Sequence, residues 1–164
     1  MPHRAFIGIG SNLGERKANH LEATERIQKL PGIRLVKQSS FYESEPLGDA
    51  KTWFVNSVIE VETECTADEL LKRLKSIEAA MGRKRVRGKR WGSRIIDLDI
   101  LFFDNEIISK RSLKIPHVEL QNRRFVLAPL SELAPQLIHP KLTLSISELL
   151  AGLKDKKKIH LFRA

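Results

Sequence analysis

The chain has 164 residues, 41% of them hydrophobic and 30% charged, which fits one soluble globular domain over residues 1–164 and excludes a disordered or fibrous chain. No stretch approaches the roughly 20 apolar residues of a membrane helix. Met1-Pro2-His3-Arg4 leads into an apolar strand without a signal-peptide core, and the lone Cys65 excludes an internal disulfide framework, so a cytoplasmic protein with no membrane partner is expected. The net charge of +9 and pI near 9.9 call for an anionic partner without choosing between nucleotide and nucleic acid.

Arg4-Ala5-Phe6-Ile7-Gly8-Ile9-Gly10 reads as a first strand whose glycines leave the backbone bare on one face. Gly14 comes one place late for a dinucleotide fingerprint and no acid-ended strand follows, so a tight strand-to-helix turn is the better reading. A helix follows over residues 15–30, with Leu21, Ala23, Ile27 and Leu30 on its apolar side and Pro31-Gly32 ending it. Strands are expected over 33–42 and 53–61, joined by a long loop over 44–51 and paired antiparallel. Thr66 and Glu69 open a second helix as a capping box, Leu70, Leu74, Ile77 and Met81 give its apolar stripe, and Gly82 stops it.

The next strand is Ile95-Ile96-Asp97-Leu98-Asp99-Ile100-Leu101-Phe102-Phe103, which Asp104-Asn105-Glu106 turns into a short returning strand through Ile108. The last third holds a short helix starting near Pro129 and a final helix capped by Ser145 and Glu148. Residues 154–158 read as a solvated basic tail, His20 and His160 as surface residues, and His139 before Pro140 as a turn. Strand, helix, strand, strand, helix, strand is the ferredoxin-like βαββαβ order. The fold class is therefore α+β, with helices on one face of an antiparallel-rich sheet and a C-terminal helical extension.

Alternation on the fourth strand puts Ile96, Leu98, Ile100 and Phe102 on one side and Asp97 and Asp99 on the other, roughly 6.5 Å apart. Paired carboxylates at that spacing suit Mg²⁺ completed by water and phosphate oxygens. Between Gly82 and Arg94 stand Arg83, Lys84, Arg85, Arg87, Lys89, Arg90 and Arg94 with no acidic residue, and a cationic segment entering a carboxylate pair suits a polyphosphate carrying Mg²⁺. By themselves the pair also reads as the wet face of a half-exposed strand, and Phe54 and Phe125 as core aromatics. Asp is disfavoured inside strands, as is the Asn at position 56, so both need a compensating reason.

Arg90-Trp91-Gly92-Ser93-Arg94-x-x-Asp97-Leu98-Asp99-Ile100-Leu101 resembles the hallmark motif of the 6-hydroxymethyl-7,8-dihydropterin pyrophosphokinases of folate biosynthesis. Gly10-Ser11-Asn12-Leu13, Ser39-Ser40-Phe41-Tyr42 leading to Pro46-Leu47-Gly48, Phe54-Val55-Asn56, Ile77-Glu78, Pro116-His117 and Asn122-Arg123-x-Phe125 agree with that family in order. The resemblance implies pyrophosphate transfer from ATP to the pterin hydroxymethyl group with release of AMP; a monomer with no nucleic-acid partner is expected. It implies two Mg²⁺ ions on Asp97 and Asp99, catalytic roles for Arg83 and Arg94 with them, and ATP contacts from Glu78, Arg85, Trp91, Arg94, Ile100, His117 and Arg123. The pterin would lie between Phe54 and Phe125, oriented by Asn56 and by the loop carrying Ser44 and Leu47. Glu45, Phe54, Ser112 and Val118 depart from the residues expected there.

A basic RNA-binding sheet is the rival from another class, but it calls for exposed aromatics beside basic residues, whereas the strand fed by the basic segment carries two carboxylates. A γ-phosphate kinase of the commonest kind would need a Gly-x-x-x-x-Gly-Lys-Ser/Thr loop, which the sequence lacks.

Overall fold

The computed structural model describes residues 1–46, 52–82, 95–155 and 157–163. In chain order they form β1 (His3–Ser11), α1 (Arg16–Gln28), β2 (Ile33–Gln38), β3 (Tyr42–Ser44), β4 (Phe54–Thr63), α2 (Ala67–Ala80), β5 (Asp97–Phe103), β6 (Ile108–Ser109), β7 (Lys114–Ile115), α3 (Arg124–Leu133), α4 (Ile146–Ala151) and β8 (Ile159–Leu161). A 3-10 turn, Leu120–Asn122, precedes α3. The main sheet runs β5-β1-β4-β3-β8 with β2 on the far end of β4, every pairing antiparallel. This is the expected α+β, ferredoxin-like arrangement.

Alternation divides the sheet into two cores. Ala5, Ile7 and Ile9 of β1, Ile59 and Val61 of β4 and Leu98 and Ile100 of β5 face α1 and α2. Phe6, Val58, Leu101 and Phe102 face α3 and α4 on the other side, so helices cover part of both faces rather than one. Asp97 pairs with Gly10, Asp99 with Gly8 and Ile100 with Ile7, but the next pair is Phe102 with Phe6, which leaves Leu101 as an extra residue. This bulge flips the following side chains. Phe102 therefore joins Leu101 in the second core, and the sequence pattern that aligned it with Ile96, Leu98 and Ile100 is corrected. Leu101 lies closely over Gly8 of β1: a Cβ there would meet Leu101 Cδ2 at 3.3 Å, so the side chain would have to shift by a few tenths of an ångström.

Other boundaries move for local reasons. The strand expected over 33–42 divides into β2 and β3 because Ser39 donates its backbone N–H to Val58 O while its hydroxyl accepts the Val58 N–H, each at 2.9 Å. A side chain thus replaces a ladder carbonyl, and the register is broken. The short strand after Asp104 pairs with β7 rather than returning along β5. α3 begins at Arg124 and contains Pro129 instead of starting there. Thr66 caps α2 by accepting the Glu69 N–H, Gly82 leaves that helix with φ of +87°, and Ser145 with Glu148 forms the full capping box of α4. Residues 157–158 are not a free tail, because they lead into β8 on the edge of the sheet.

The buried stripe of α1 is His20, Ala23, Thr24 and Ile27, so Leu21 falls outside it and is 51% exposed. His20, expected at the surface, is 0% exposed, its Nε2–H donating to Val55 O at 2.7 Å and its Nδ1 accepting from Ser57 Oγ at 2.8 Å. Burial, opposed by the Val55 bond, pushes its pKa down to about 4. Between that value and the 6.5 of an exposed histidine the unfolded chain binds a proton that the folded chain does not. Stability is thus expected to fall as pH drops through this window, by up to about 1.4 kcal/mol per pH unit. Urea unfolding at pH 7 and pH 5 checks this, and His20→Gln is expected to flatten the pH dependence.

Candidate active site

The site is built on the sheet face that α3 and α4 leave partly open. β5 is an edge strand, and β1 beside it carries Gly8 and Gly10 directly opposite Asp99 and Asp97. No β1 side chain stands next to either carboxylate as a result. Asp97 is half-buried and Asp99 exposed. On β4, across β1, Asn56 pairs with Gly10, and a Cβ at Gly10 would sit 3.2 Å from Asn56 Oδ1 and 3.8 Å from a Phe54 ring carbon. The glycine therefore makes room for the amide to lean over the strand. Beyond β4, Tyr42 and Ser44 of β3 stand opposite Asn56 and Phe54.

Asn56 is 6% exposed and Ser44 3% exposed, and Asn56 Nδ2 donates to Ser44 Oγ at 2.7 Å, which fixes the amide plane. Its Oδ1 and second N–H remain to face a planar polar edge. Phe54 is half-buried at one end of this patch. α3 packs on β3 and β4, with the Tyr42 hydroxyl donating to Glu132, and delivers a second half-buried ring, Phe125, in its first turn. The Arg123 guanidinium lies 5.6 Å from the centre of the Phe125 ring.

His117 completes the β5 side. Its backbone N–H donates to Leu101 O at 3.0 Å, and its Nδ1 accepts the Glu119 N–H at 3.2 Å, which places the imidazole proton on Nε2 when the ring is neutral. Burial depresses its pKa and Arg123 adds to the depression, while Asp99 and Glu119 oppose it. His117, Asp99 and Arg123 thus lie within electrostatic reach of one another, and a neutral His117 offers an N–H donor to an anionic oxygen.

Two residues expected at the nucleotide sit differently. The Ile100 side chain is 4% exposed in the core under α1 and α2, on the face opposite the aspartates. Any ligand contact it makes goes through its main chain on the outer edge of β5. Glu78 is 4% exposed, and its carboxylate accepts the Leu98 N–H at 2.8 Å, giving that outward-pointing edge donor a partner. Arg83, Arg85, Trp91, Arg94 and Leu47 lie outside the described residues. Sequence reasoning missed the pairing of the two glycines with the two aspartates, whose only trace was two-residue spacing on both strands.

The donor set fits Mg²⁺: two carboxylates offer hard oxygens on one strand face, beside bare backbone. Among the described residues no group of three or more His, Cys, Asp and Glu side chains converges on one point. An ion on Asp97 and Asp99 would take its remaining ligands from water and substrate oxygens, as Mg²⁺ does at phosphates. Also among the described residues, no helix is long and apolar enough to cross a membrane.

A family profile described as 7,8-dihydro-6-hydroxymethylpterin-pyrophosphokinase matches residues 6–135. The 2-amino-4-hydroxy-6-hydroxymethyldihydropteridine pyrophosphokinase of Haemophilus influenzae is 43% identical over 158 residues, covering 96% of this chain and 97% of that protein. Its counterpart from Methylorubrum extorquens is 43% identical over 136 residues, covering 82% of this chain and 85% of the other. Among solved structures, HPPK-DHPS in complex with substrates matches with a TM-score of 0.71 at 16% identity, over 92% of this chain and 43% of that one. The chain spans less than half the length of such solved chains, and this likeness is one of fold.

Proposed function

The chain belongs to the 7,8-dihydro-6-hydroxymethylpterin-pyrophosphokinase family and is an ATP-dependent pyrophosphokinase, and from that premise we propose a specific reaction and a division of labour for its residues. The enzyme transfers pyrophosphate from ATP to the hydroxymethyl group of 6-hydroxymethyl-7,8-dihydropterin by direct displacement. The alcohol oxygen bonds to the β-phosphorus as the bond from that phosphorus to the oxygen kept by AMP breaks. The observation that carries this reading is the common sheet face of Ser44, Phe54, Asn56, Asp97 and Asp99, with bare glycine backbone between amide and carboxylates.

In this reading a flat heterocycle stacks between Phe54 and Phe125, and the pinned amide of Asn56 reads its polar edge. The hydroxymethyl group then points along β1 toward β5. Asp97 and Asp99 would hold two Mg²⁺ ions, whose chemistry when bound would be charge neutralisation of the polyphosphate. His117 Nε2–H and the Arg123 guanidinium hold phosphate oxygens, and Arg83, Arg85 and Arg94 serve the same end, with Trp91 closing over the nucleotide. Glu78 and the Ile100 backbone shape the β5 edge where the base would rest. Alignment and charge stabilisation suffice for this transfer, so no side chain needs to act as nucleophile. The proposed working unit is a monomer.

Incubation with ATP, Mg²⁺ and the hydroxymethyl dihydropterin is expected to yield AMP and the pterin diphosphate in equal amounts. Formation of ADP in place of AMP, or nucleotide turnover indifferent to the pterin, would overturn the reading.

A further inference from the structure

The segment that follows α4 lies beyond residues 6–135, which carry the family match, yet it bonds to both walls of the proposed pterin site. At one end, Asp155 Oδ2 accepts the backbone N–H of Arg124 at 3.3 Å, and Asp155 O accepts from Arg124 Nη2 at 3.4 Å. Arg124 is the first residue of α3, and its N-cap, Arg123, makes no side-chain cap bond. A carboxylate from 31 residues away therefore does the capping, in the turn that carries Phe125. Asp155 Oδ1 also accepts the Lys157 N–H at 2.9 Å, turning the chain toward β3.

At the other end, β8 pairs with β3, Ile159 opposite Ser44 and Leu161 opposite Tyr42. The ladder continues one step past β3: the Glu45 N–H donates to Lys158 O at 3.2 Å, and the Lys158 N–H donates to Glu45 Oε1 at 2.7 Å. Neither bond is open to proline, which has no N–H and no carboxylate. The Phe162 N–H donates to Phe41 O at 2.9 Å, and His160 Nε2 lies 2.9 Å from Glu43 Oε1, so the attachment runs the length of β3.

Resting on the pterin reading of the site, we infer that Asp155 and residues 157–162 act as a strap that sets the spacing between the α3 wall bearing Phe125 and the β3 wall bearing Ser44, and with it pterin affinity. Asp155 and Lys158 are then positioning residues. They touch no substrate and act through α3 and through Glu45. The strap adds a second tie to the direct one that Tyr42 of β3 makes with Glu132 of α3, and doubly tied walls hold a planar ligand at lower ordering cost.

The test is steady-state kinetics of Asp155→Ala and Lys158→Pro, the second removing the donor to Glu45, with thermal unfolding of each. Each variant is expected to raise the pterin KM about fivefold while kcat stays within about twofold, since what is lost is ground-state positioning. Asp155→Glu is expected to recover part of the affinity. Unchanged pterin KM in both variants overturns the strap. A fall in kcat at constant KM overturns it as well, because that pattern reports only a smaller folded fraction. Both results are read beside wild-type AMP formation, so failure of the pterin reading itself shows in the wild type alone.

Discussion

Alanine at Asp97 or at Asp99 is expected to lower AMP-forming turnover by about a thousandfold or more while the protein stays folded. Moving pyrophosphate builds charge on the leaving oxygen and on the non-bridging oxygens between the two reactants. Losing several kcal/mol of charge neutralisation there costs a factor of ten for each 1.36 kcal/mol. The sheet itself has little to lose: Asp99 is exposed, Asp97 only half-buried, and Asp is a poor strand residue to begin with. Leu98 and Ile100, between and beside them, keep β5 anchored under α1 and α2. Thermal midpoints within a few degrees of wild type are therefore expected with both substitutions. Near-normal kcat in either purified variant would remove the metal assignment. A lesser loss partly restored by raised Mg²⁺ would keep it and show that one carboxylate carries more of the load.

Much of this was readable from residue order. The apolar periodicity of α2, its Thr66 cap and its Gly82 stop are local signals, and local signals survive folding unchanged. Asp97 and Asp99 on one face needed only the two-residue period. What escaped depends on contacts between distant residues. The Leu101 bulge arises where β5 must supply side chains to both cores, and a simple alternation cannot foresee the extra residue that redirects Phe102. His20 looked like any polar residue on an amphipathic helix until Val55 and Ser57 supplied a buried acceptor and donor. Ile100 sat in the right motif, but its side chain belongs to the core and only its backbone reaches the edge.

The C-terminal residues make the same point from the other side. Lys154, Asp155, Lys157 and Lys158 have the composition of a solvated tail, and Lys157 and Lys158 are indeed exposed. The Asp155 carboxylate and the backbone of Lys158 do the work, not the lysine charges, through the start of α3, through β8 and through Glu45. Backbone pairing leaves no signature in composition. Glu43 belongs to this edge too: burial acts to raise its pKa, but Arg16 at 2.7 Å and His160 at 2.9 Å outweigh it and hold the carboxylate below its ordinary value.

Asn56→Ala is expected to weaken pterin binding by about a hundredfold, leaving affinity for a non-hydrolysable ATP analogue within about twofold. The amide is buried, pinned by its bond to Ser44 Oγ, and leans over Gly10 between the stacking ring of Phe54 and the carboxylates of β5. A heterocycle that places a donor and an acceptor against it would lose both partners in the variant. Each polar group then left buried and unpaired costs about 1–3 kcal/mol, which for two bonds gives the hundredfold expectation. Asn56→Asp separates the two halves of the interaction, since a carboxylate of the same shape still accepts but cannot donate to the ligand or to Ser44. Gly10→Ala approaches the same point from the neighbouring strand, because its methyl would sit 3.2 Å from Asn56 Oδ1 and push the amide off its plane. That variant is expected to weaken pterin binding in the same direction with the amide chemistry intact. Calorimetric titration with the pterin and with the ATP analogue measures both affinities. Equal losses for the two ligands in Asn56→Ala would show that the residue supports the fold of the whole site, and undiminished pterin affinity would move the pterin off this face of the sheet.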